Sequence, residues 1–110
     1  MSLSTHVLDT AKGGPAQGVA FRLLRDGEEL FSGFTDHDGR CAHLRRMDLA
    51  PGRYRLEFRV ADYFQKAGMS LPDPPFYEVI PIDFGISDPV SHYHVPLLLS
   101  PYGYSTYRGS

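Results

Sequence analysis

Hydrophobic and polar residues alternate with a period of two along most of this chain, which is the pattern of half-buried β-strands. The clearest case is residues 53–60, where aromatic and aliphatic side chains at even positions alternate with mostly charged side chains at odd positions. Turn-forming glycine and proline residues separate the strand-like segments. Strands are predicted at residues 5–9, 19–24, 29–35, 41–45, 53–60, 78–84, 92–99 and 102–107.

One segment departs from the alternation. Residues 62–67, DYFQKA, predict a short helix that Asp62 caps and Gly68 ends. Pro81 has no amide hydrogen for a neighbouring strand, so strand 78–84 is expected at a sheet edge. About eight short strands with one short helix indicate an all-β fold, an antiparallel β-sandwich, in a single domain over residues 1–110.

Composition narrows the possible functions. Apolar residues make up 42% and charged residues 22% of the chain, as in an ordinary globular domain. A net charge of −2 without a basic stripe argues against nucleic acid or a membrane surface as a partner. The first residues lack the pattern of a signal peptide and no apolar run reaches membrane-spanning length, so a cytoplasmic location is expected. The single cysteine, Cys41, is expected to serve packing.

Candidate catalytic side chains lie on three of the predicted strands and one turn. His6, His94 and Tyr107 would converge on one surface if their strands were neighbours in a sheet, and Arg40 follows an Asp-Gly turn from which it could lean over that surface. Each residue also has a structural interpretation: a surface or core histidine, a solvated turn arginine, a packing tyrosine. Strand spacing alone does not decide between these interpretations.

Metal and nucleophile patterns are weak. His92 and His94 form a His-x-His pair on one side of a strand, but no carboxylate or thiol stands at ligand spacing nearby. Asp36 and Asp38 resemble part of a calcium loop without its closing glutamate. No Ser–His–Asp arrangement and no glycine-rich phosphate loop stands out. We therefore expect neither a metal nor a cofactor.

Three segments resemble the signatures of the 5-hydroxyisourate hydrolases, transthyretin-related enzymes of urate breakdown. They are THVLDTAKGGPAQGV at 5–19, TDHDGR at 35–40 and HYHVPLLLSPYGYSTYRGS at 92–110, and they span essentially the whole chain in the expected order. The final YRGS is specific, because the hormone-carrying transthyretins lack it. Residues 76–79, FYEV, depart from the Phe-Pro-Glu-Val of many members, away from the expected pocket.

The resemblance implies a transthyretin-like sandwich of two four-stranded sheets, assembled as a homotetramer that is a dimer of dimers. It also implies that the first strand and the last two strands share a sheet whose face lines a channel between dimers. Matched position by position, His6, Arg40, His94 and Tyr107 fall on the family's active-site pattern.

The implied reaction is hydrolysis of the small molecule 5-hydroxyisourate to 2-oxo-4-hydroxy-4-carboxy-5-ureidoimidazoline. His6 and His94 would position and deprotonate water, and Arg40 would hold substrate oxygens and stabilise charge on the attacked carbonyl. Tyr107 would form a pocket wall and donate a hydrogen bond, with Ser110 completing the pocket. Direct attack by water is preferred to a covalent intermediate, and no metal is required.

Two other functions are open to a chain of this kind. The first is a transthyretin-like protein that binds a small ligand without catalysis, for which small or aliphatic residues would be expected at the channel positions. The second is an assembly domain, which would tolerate loss of Tyr107. Histidine and arginine at the channel positions favour the enzyme.

Overall fold

The computed structural model describes residues 2–110, which form eight strands and two short helices. In chain order these are β1 Ser2–Asp9, β2 Gly14–Pro15, β3 Ala20–Arg25, β4 Glu28–Phe34, α1 Ala42–Arg45, β5 Gly52–Arg59, α2 Val60–Lys66, β6 Val79–Ile86, β7 His92–Ser100 and β8 Gly103–Thr106. The strands make two four-stranded sheets with the orders β2-β1-β7-β8 and β4-β3-β5-β6. The expected sandwich of two four-stranded sheets is confirmed, and β1 shares a sheet with the last two strands.

The pairing of β1 with β7 differs from the expectation of a wholly antiparallel sandwich. These two strands run parallel, from Ser2 opposite His92 to Asp9 opposite Leu99, whereas the other strand pairs are antiparallel. Parallel neighbours require a long crossover connection. Here the crossover is the second sheet, which lies between β1 and β7 in the chain.

The core lies between the sheets and takes alternate residues from each long strand. In β5 these are the even-numbered apolar residues, as the sequence pattern predicts. In β7, His92 and His94 alternate with the core residues and face outward, because the buried residues are Tyr93, Val95, Leu97 and Leu99. Pro81 lies in β6, which is an edge strand as predicted.

The short segment after residue 40 was expected as a strand, and this prediction is wrong. Residues Ala42–Arg45 form α1, and Leu44 is fully buried. Cys41 and Leu44 are the buried residues of this segment, and their spacing of three matches one side of a helical turn better than alternate strand positions. The fold therefore has two helices, where the sequence predicted one.

The second helix connects β5 to β6 within the second sheet and contacts the first sheet through Tyr63. It begins at Val60, two residues before the predicted start, with Arg59 at the N-cap, so Asp62 does not cap it. Its Tyr63 hydroxyl donates a 2.7 Å hydrogen bond to the buried Asp9 carboxylate at the end of β1. Burial first, and then this bond, raise the pKa of Tyr63. Among residues 2–110, neither helix is long and apolar enough to span a membrane.

Candidate active site

The outer face of the first sheet carries the two histidines singled out from the sequence. In the parallel ladder Ser4 is opposite His94 and His6 is opposite Pro96. A strand spacing of about 4.8 Å and a rise of about 3.3 Å per residue place the Cα atoms of His6 and His94 roughly 8 Å apart. Both side chains are half-buried. The pairing register therefore brings these two imidazoles onto one surface.

A tight turn brings Arg40 to the same strand. The turn is closed by backbone hydrogen bonds from Asp36 to Arg40 (N–O 2.7 Å) and from Gly39 to Asp36 (2.9 Å). The Gly39 carbonyl accepts a 2.8 Å hydrogen bond from the amide of Val7, the residue after His6. Gly39 has φ +74°, and a Cβ there would lie 2.3 Å from the Val7 oxygen. Only glycine therefore lets this turn approach β1 so closely.

Positive charge accumulates around His94. Burial first, and then the charges of Arg40 and His6, lower the pKa of the His94 imidazole from its ordinary value. Burial and the charge of Arg45 lower the pKa of His92 in the same direction. Both imidazoles are therefore mainly neutral at pH 7. Within the described chain the Arg40 guanidinium forms no salt bridge, so it is available to an anionic or carbonyl ligand.

Serine hydroxyls hold the histidines of β7, and the sequence analysis missed them. Ser4 Oγ lies 2.7 Å from both His92 Nε2 and His94 Nδ1, and Ser2 Oγ lies 2.5 Å from His92 Nδ1. Alternate side chains of a strand share a face, so extending the first strand back from His6 would have placed Ser4 and Ser2 on the same face as His6. The first strand was predicted to begin at residue 5, whereas β1 begins at Ser2.

The residues after β8 continue along β7 and cross His94. The Gly109 amide donates a 2.8 Å hydrogen bond to the His94 carbonyl. A Cβ at Gly109 would lie 2.3 Å from His94 Cδ2, so the absence of a side chain allows the crossing. Arg108 places its guanidinium carbon 4.3 Å from the centre of the Tyr93 ring. Tyr107 lies one residue beyond β8, and its side chain is 59% exposed.

Two cavities lie near the predicted site or on the opposite sheet, and neither encloses the whole site. One of about 330 Å³ lies between the edges of the two sheets and is lined by both His94 and Tyr107. A larger one, of about 830 Å³, lies on the outer face of the second sheet against the Arg55–Asp83 ion pair and contains none of the predicted site residues. On the surface that carries His6 and Arg40, Arg40 is exposed and His6 is half-buried, so this part of the site is open in the single chain.

Two groups of side chains bear on metal binding. Ligand atoms of Asp36, His37 and Asp38 lie within 4.8 Å of one another, but all three residues are exposed. The Asp36 carboxylate already accepts hydrogen bonds from the turn amides of residues 38 and 40. Both ring nitrogens of His92 are hydrogen-bonded to serines, which argues against His92 and His94 acting as a metal-binding pair.

Known proteins share this sequence and this fold. Residues 3–109 match the HIUase/Transthyretin family model. The 5-hydroxyisourate hydrolase of Caulobacter vibrioides is 54% identical over 112 residues, which cover 98% of this chain and 97% of that protein. The 5-hydroxyisourate hydrolase 2 of Rhizobium meliloti is also 54% identical, over 98% of this chain and 95% of its own length.

Solved structures agree. Klebsiella pneumoniae 5-hydroxyisourate hydrolase superimposes with a TM-score of 0.86 at 40% identity, covering 99% of this chain and 93% of that one. Sea bream transthyretin in complex with thyroxine superimposes with a TM-score of 0.83 at 32% identity, covering 99% and 95%. Sequence and fold thus place this chain in the HIUase/Transthyretin family.

Proposed function

We propose that this protein hydrolyses 5-hydroxyisourate to 2-oxo-4-hydroxy-4-carboxy-5-ureidoimidazoline. The observation that carries the proposal is the convergence of His6, His94 and Arg40 on one outer sheet face, where burial and then the charge of Arg40 lower the pKa of His94. Relatives named 5-hydroxyisourate hydrolase, which are 45–54% identical over 98% of the chain, support it.

The histidines supply the general base. A neutral imidazole of His94, positioned with His6 around a water molecule, takes a proton from that water as its oxygen bonds to a ring amide carbonyl of the substrate. Collapse of the tetrahedral intermediate breaks the ring C–N bond, and the proton held by the imidazole passes to the leaving nitrogen. The lowered pKa of His94 keeps the base in its working form at neutral pH.

Arg40 stabilises the charge that develops on the attacked carbonyl oxygen. Its guanidinium is a planar donor fork that matches carbonyl and carboxylate oxygens. In the described residues it forms no salt bridge, and its charge acts on the Asp36 carboxylate only at longer range. Removal of one such donor typically costs about 100-fold or more in rate. The turn that Gly39 ties to β1 fixes where this charge lies relative to His6.

Assembly completes the pocket. The site surface is open and Tyr107 is 59% exposed in the single chain. A homotetramer built as a dimer of dimers would cover this face, turn it into a channel that excludes water, and place Tyr107 as a wall that donates a hydrogen bond. Sedimentation velocity tests this assembly: a tetramer is expected, and a monomer at working concentration contradicts it. The reaction is proposed for the cytoplasm.

The direct test is the decay of freshly generated 5-hydroxyisourate, followed by its ultraviolet absorbance with and without a chelator. Wild-type protein should accelerate the decay in both conditions. His6→Ala and His94→Ala should each lower kcat by about 100-fold or more. His43→Ala, at an exposed position on α1, is the matched control and should retain the wild-type rate. Wild-type rates in both site variants would overturn the assignment.

Small-ligand binding without catalysis is the alternative function. The superposition on sea bream transthyretin in complex with thyroxine favours it. Calorimetry with a thyroxine-like aromatic ligand separates the two functions: micromolar binding without turnover of 5-hydroxyisourate supports the carrier. The histidine and arginine side chains on this face support the hydrolase, because they are poor partners for an apolar ligand.

A further inference from the structure

Four side chains form a continuous line of hydrogen bonds across the edge of the proposed site. Ser2 Oγ lies 2.5 Å from His92 Nδ1, His92 Nε2 lies 2.7 Å from Ser4 Oγ, and Ser4 Oγ lies 2.7 Å from His94 Nδ1. The parallel register produces the line, because Ser2 is opposite His92 and Ser4 is opposite His94. His94 Nε2 is the ring nitrogen that this line leaves free.

The single hydrogen of the Ser4 hydroxyl couples the tautomers of the two imidazoles. A serine hydroxyl has one hydrogen, so Ser4 can donate to only one of the two ring nitrogens that face it and must accept from the other. A neutral imidazole carries one N–H, on either Nδ1 or Nε2. If Ser4 donates to His92, then His94 must carry its hydrogen on Nδ1, and His92 carries its own on Nδ1 facing Ser2. If Ser4 donates to His94, both rings carry the hydrogen on Nε2.

The two arrangements give His94 opposite chemical properties. With hydrogen on Nδ1, its Nε2 has a free lone pair and can take a proton from water. With hydrogen on Nε2, the same atom is a donor and cannot act as a base. The tautomer of His94 is therefore linked to that of His92 through a single hydroxyl.

We propose that Ser4 and His92 are positioning residues that hold His94 in the tautomer with a free Nε2, and so make it the general base. This inference rests on the proposed hydrolytic function. It gives a role to His92, which is not part of the family's active-site pattern, and to Ser4, which is only 9% exposed.

Protonation of His92 reverses the donor and acceptor roles along this line of hydrogen bonds. A doubly protonated His92 donates from Nε2 to Ser4, which leaves Ser4 to donate to His94 Nδ1 and moves the His94 hydrogen to Nε2. The charged and titratable groups that act on these rings are Arg40 and His6 near His94, and Arg45 of α1 near His92. The arginine charges oppose protonation, and burial of His92 acts in the same direction. The base-competent arrangement is thereby favoured at neutral pH.

Tautomers are read directly by two-bond ¹⁵N–¹H correlation spectra of histidine-labelled protein at pH 7.5. In the wild type we expect both His92 and His94 in the Nδ1–H form. In Ser4→Ala we expect His94 to shift toward a mixture of the two forms, with kcat about tenfold lower and KM within about twofold. Ser4→Thr keeps the hydroxyl and should restore most of kcat, and His43→Phe is the control for loss of an imidazole elsewhere.

A second variant tests the coupling through pH. In His92→Phe, the fall of kcat at acid pH should depend on one proton fewer than in the wild type, because the base then no longer depends on a neutral His92. Opposite tautomers of His92 and His94 in the wild type, or an Nε2–H form of His94, would overturn the inference. So would an unchanged kcat in Ser4→Ala. The spectra need no substrate, so they remain decisive about the coupling even if the wild type fails to hydrolyse 5-hydroxyisourate.

Discussion

Gly109→Ala tests whether the segment after β8 controls the position of the proposed base. The added methyl carbon would lie 2.3 Å from His94 Cδ2, 3.1 Å from Cγ and 3.4 Å from Cβ. Non-bonded carbon atoms are most stable about 3.5–4.0 Å apart, so the closest pair must separate by about 1.2–1.7 Å. The φ of Gly109 is outside the left-handed region, so the strain comes from this contact alone.

Either relaxation should damage the site. If the imidazole rotates away, it leaves its 2.7 Å contact with Ser4, and a displacement of about 1 Å in a reacting group can cost about 100-fold in rate. If the chain lifts instead, the 2.8 Å hydrogen bond from Gly109 to the His94 carbonyl breaks, at a cost of about 1 kcal/mol in the free energy of unfolding. We therefore expect a fall of about 10- to 100-fold in kcat/KM with a small loss of stability.

The assay measures initial rates of 5-hydroxyisourate decay over a range of substrate concentrations, together with thermal unfolding of each variant. Gly103→Ala is the matched control, because a Cβ there meets only Ser100 Oγ at 3.6 Å, an ordinary contact. A Gly109→Ala enzyme whose kcat/KM equals that of Gly103→Ala within a factor of two would refute the reasoning about the crossing.

Three further predictions concern charge, pH and a buried hydrogen bond. Arg40→Lys keeps the positive charge but loses the planar fork, so kcat/KM should fall by about tenfold. Arg46→Lys, at the exposed C-cap of the first helix, should leave kcat/KM unchanged, and equal losses in the two variants contradict the assignment. The folded-state pKa of His94 is lowered, so between that pKa and about 6.5 the unfolded chain binds more protons, and stability falls as pH drops below about 6.5. Urea unfolding at pH 7 and pH 5 should show this fall, reduced in His94→Gln; a rise in stability toward pH 5 contradicts it. Tyr63→Phe removes the hydrogen bond to the buried carboxylate at the end of β1 and should cost about 1–3 kcal/mol in urea unfolding, with the exposed Tyr102→Phe near zero.

Local patterns were sufficient for most strands and insufficient for the helices. The alternation through residues 53–60 identified β5, because one face of that strand is buried and the other is solvated. The first helix was missed because four residues with a single buried leucine are too few to display a helical period. Asp62 has the residue type of a cap, but the helix begins at Val60, directly where β5 ends.

The sequence likewise identified some features of the candidate site and not others. A period of two placed His6 and His94 on definite faces of their strands, and the family resemblance singled out Arg40 and Tyr107. The proximity of His6, His94 and Arg40 depends on the parallel register of β1 with β7 and on the hydrogen bond from β1 to the Gly39 carbonyl. The role of Tyr107 in the pocket stays a prediction.

The sequence by itself determined which side chains face the core, because the burial of alternate residues is a local property of a strand. Glycine and proline also marked most of the turns, although Gly14 and Pro15 pair with β1 as strand β2, and the matched segments showed which family the chain resembles. Only the tertiary structure decided that Ser2 and Ser4 meet His92 and His94, because these contacts join strands separated by the entire second sheet. Contacts at such separation depend on how the two sheets pack and pair, which no short window of residues encodes.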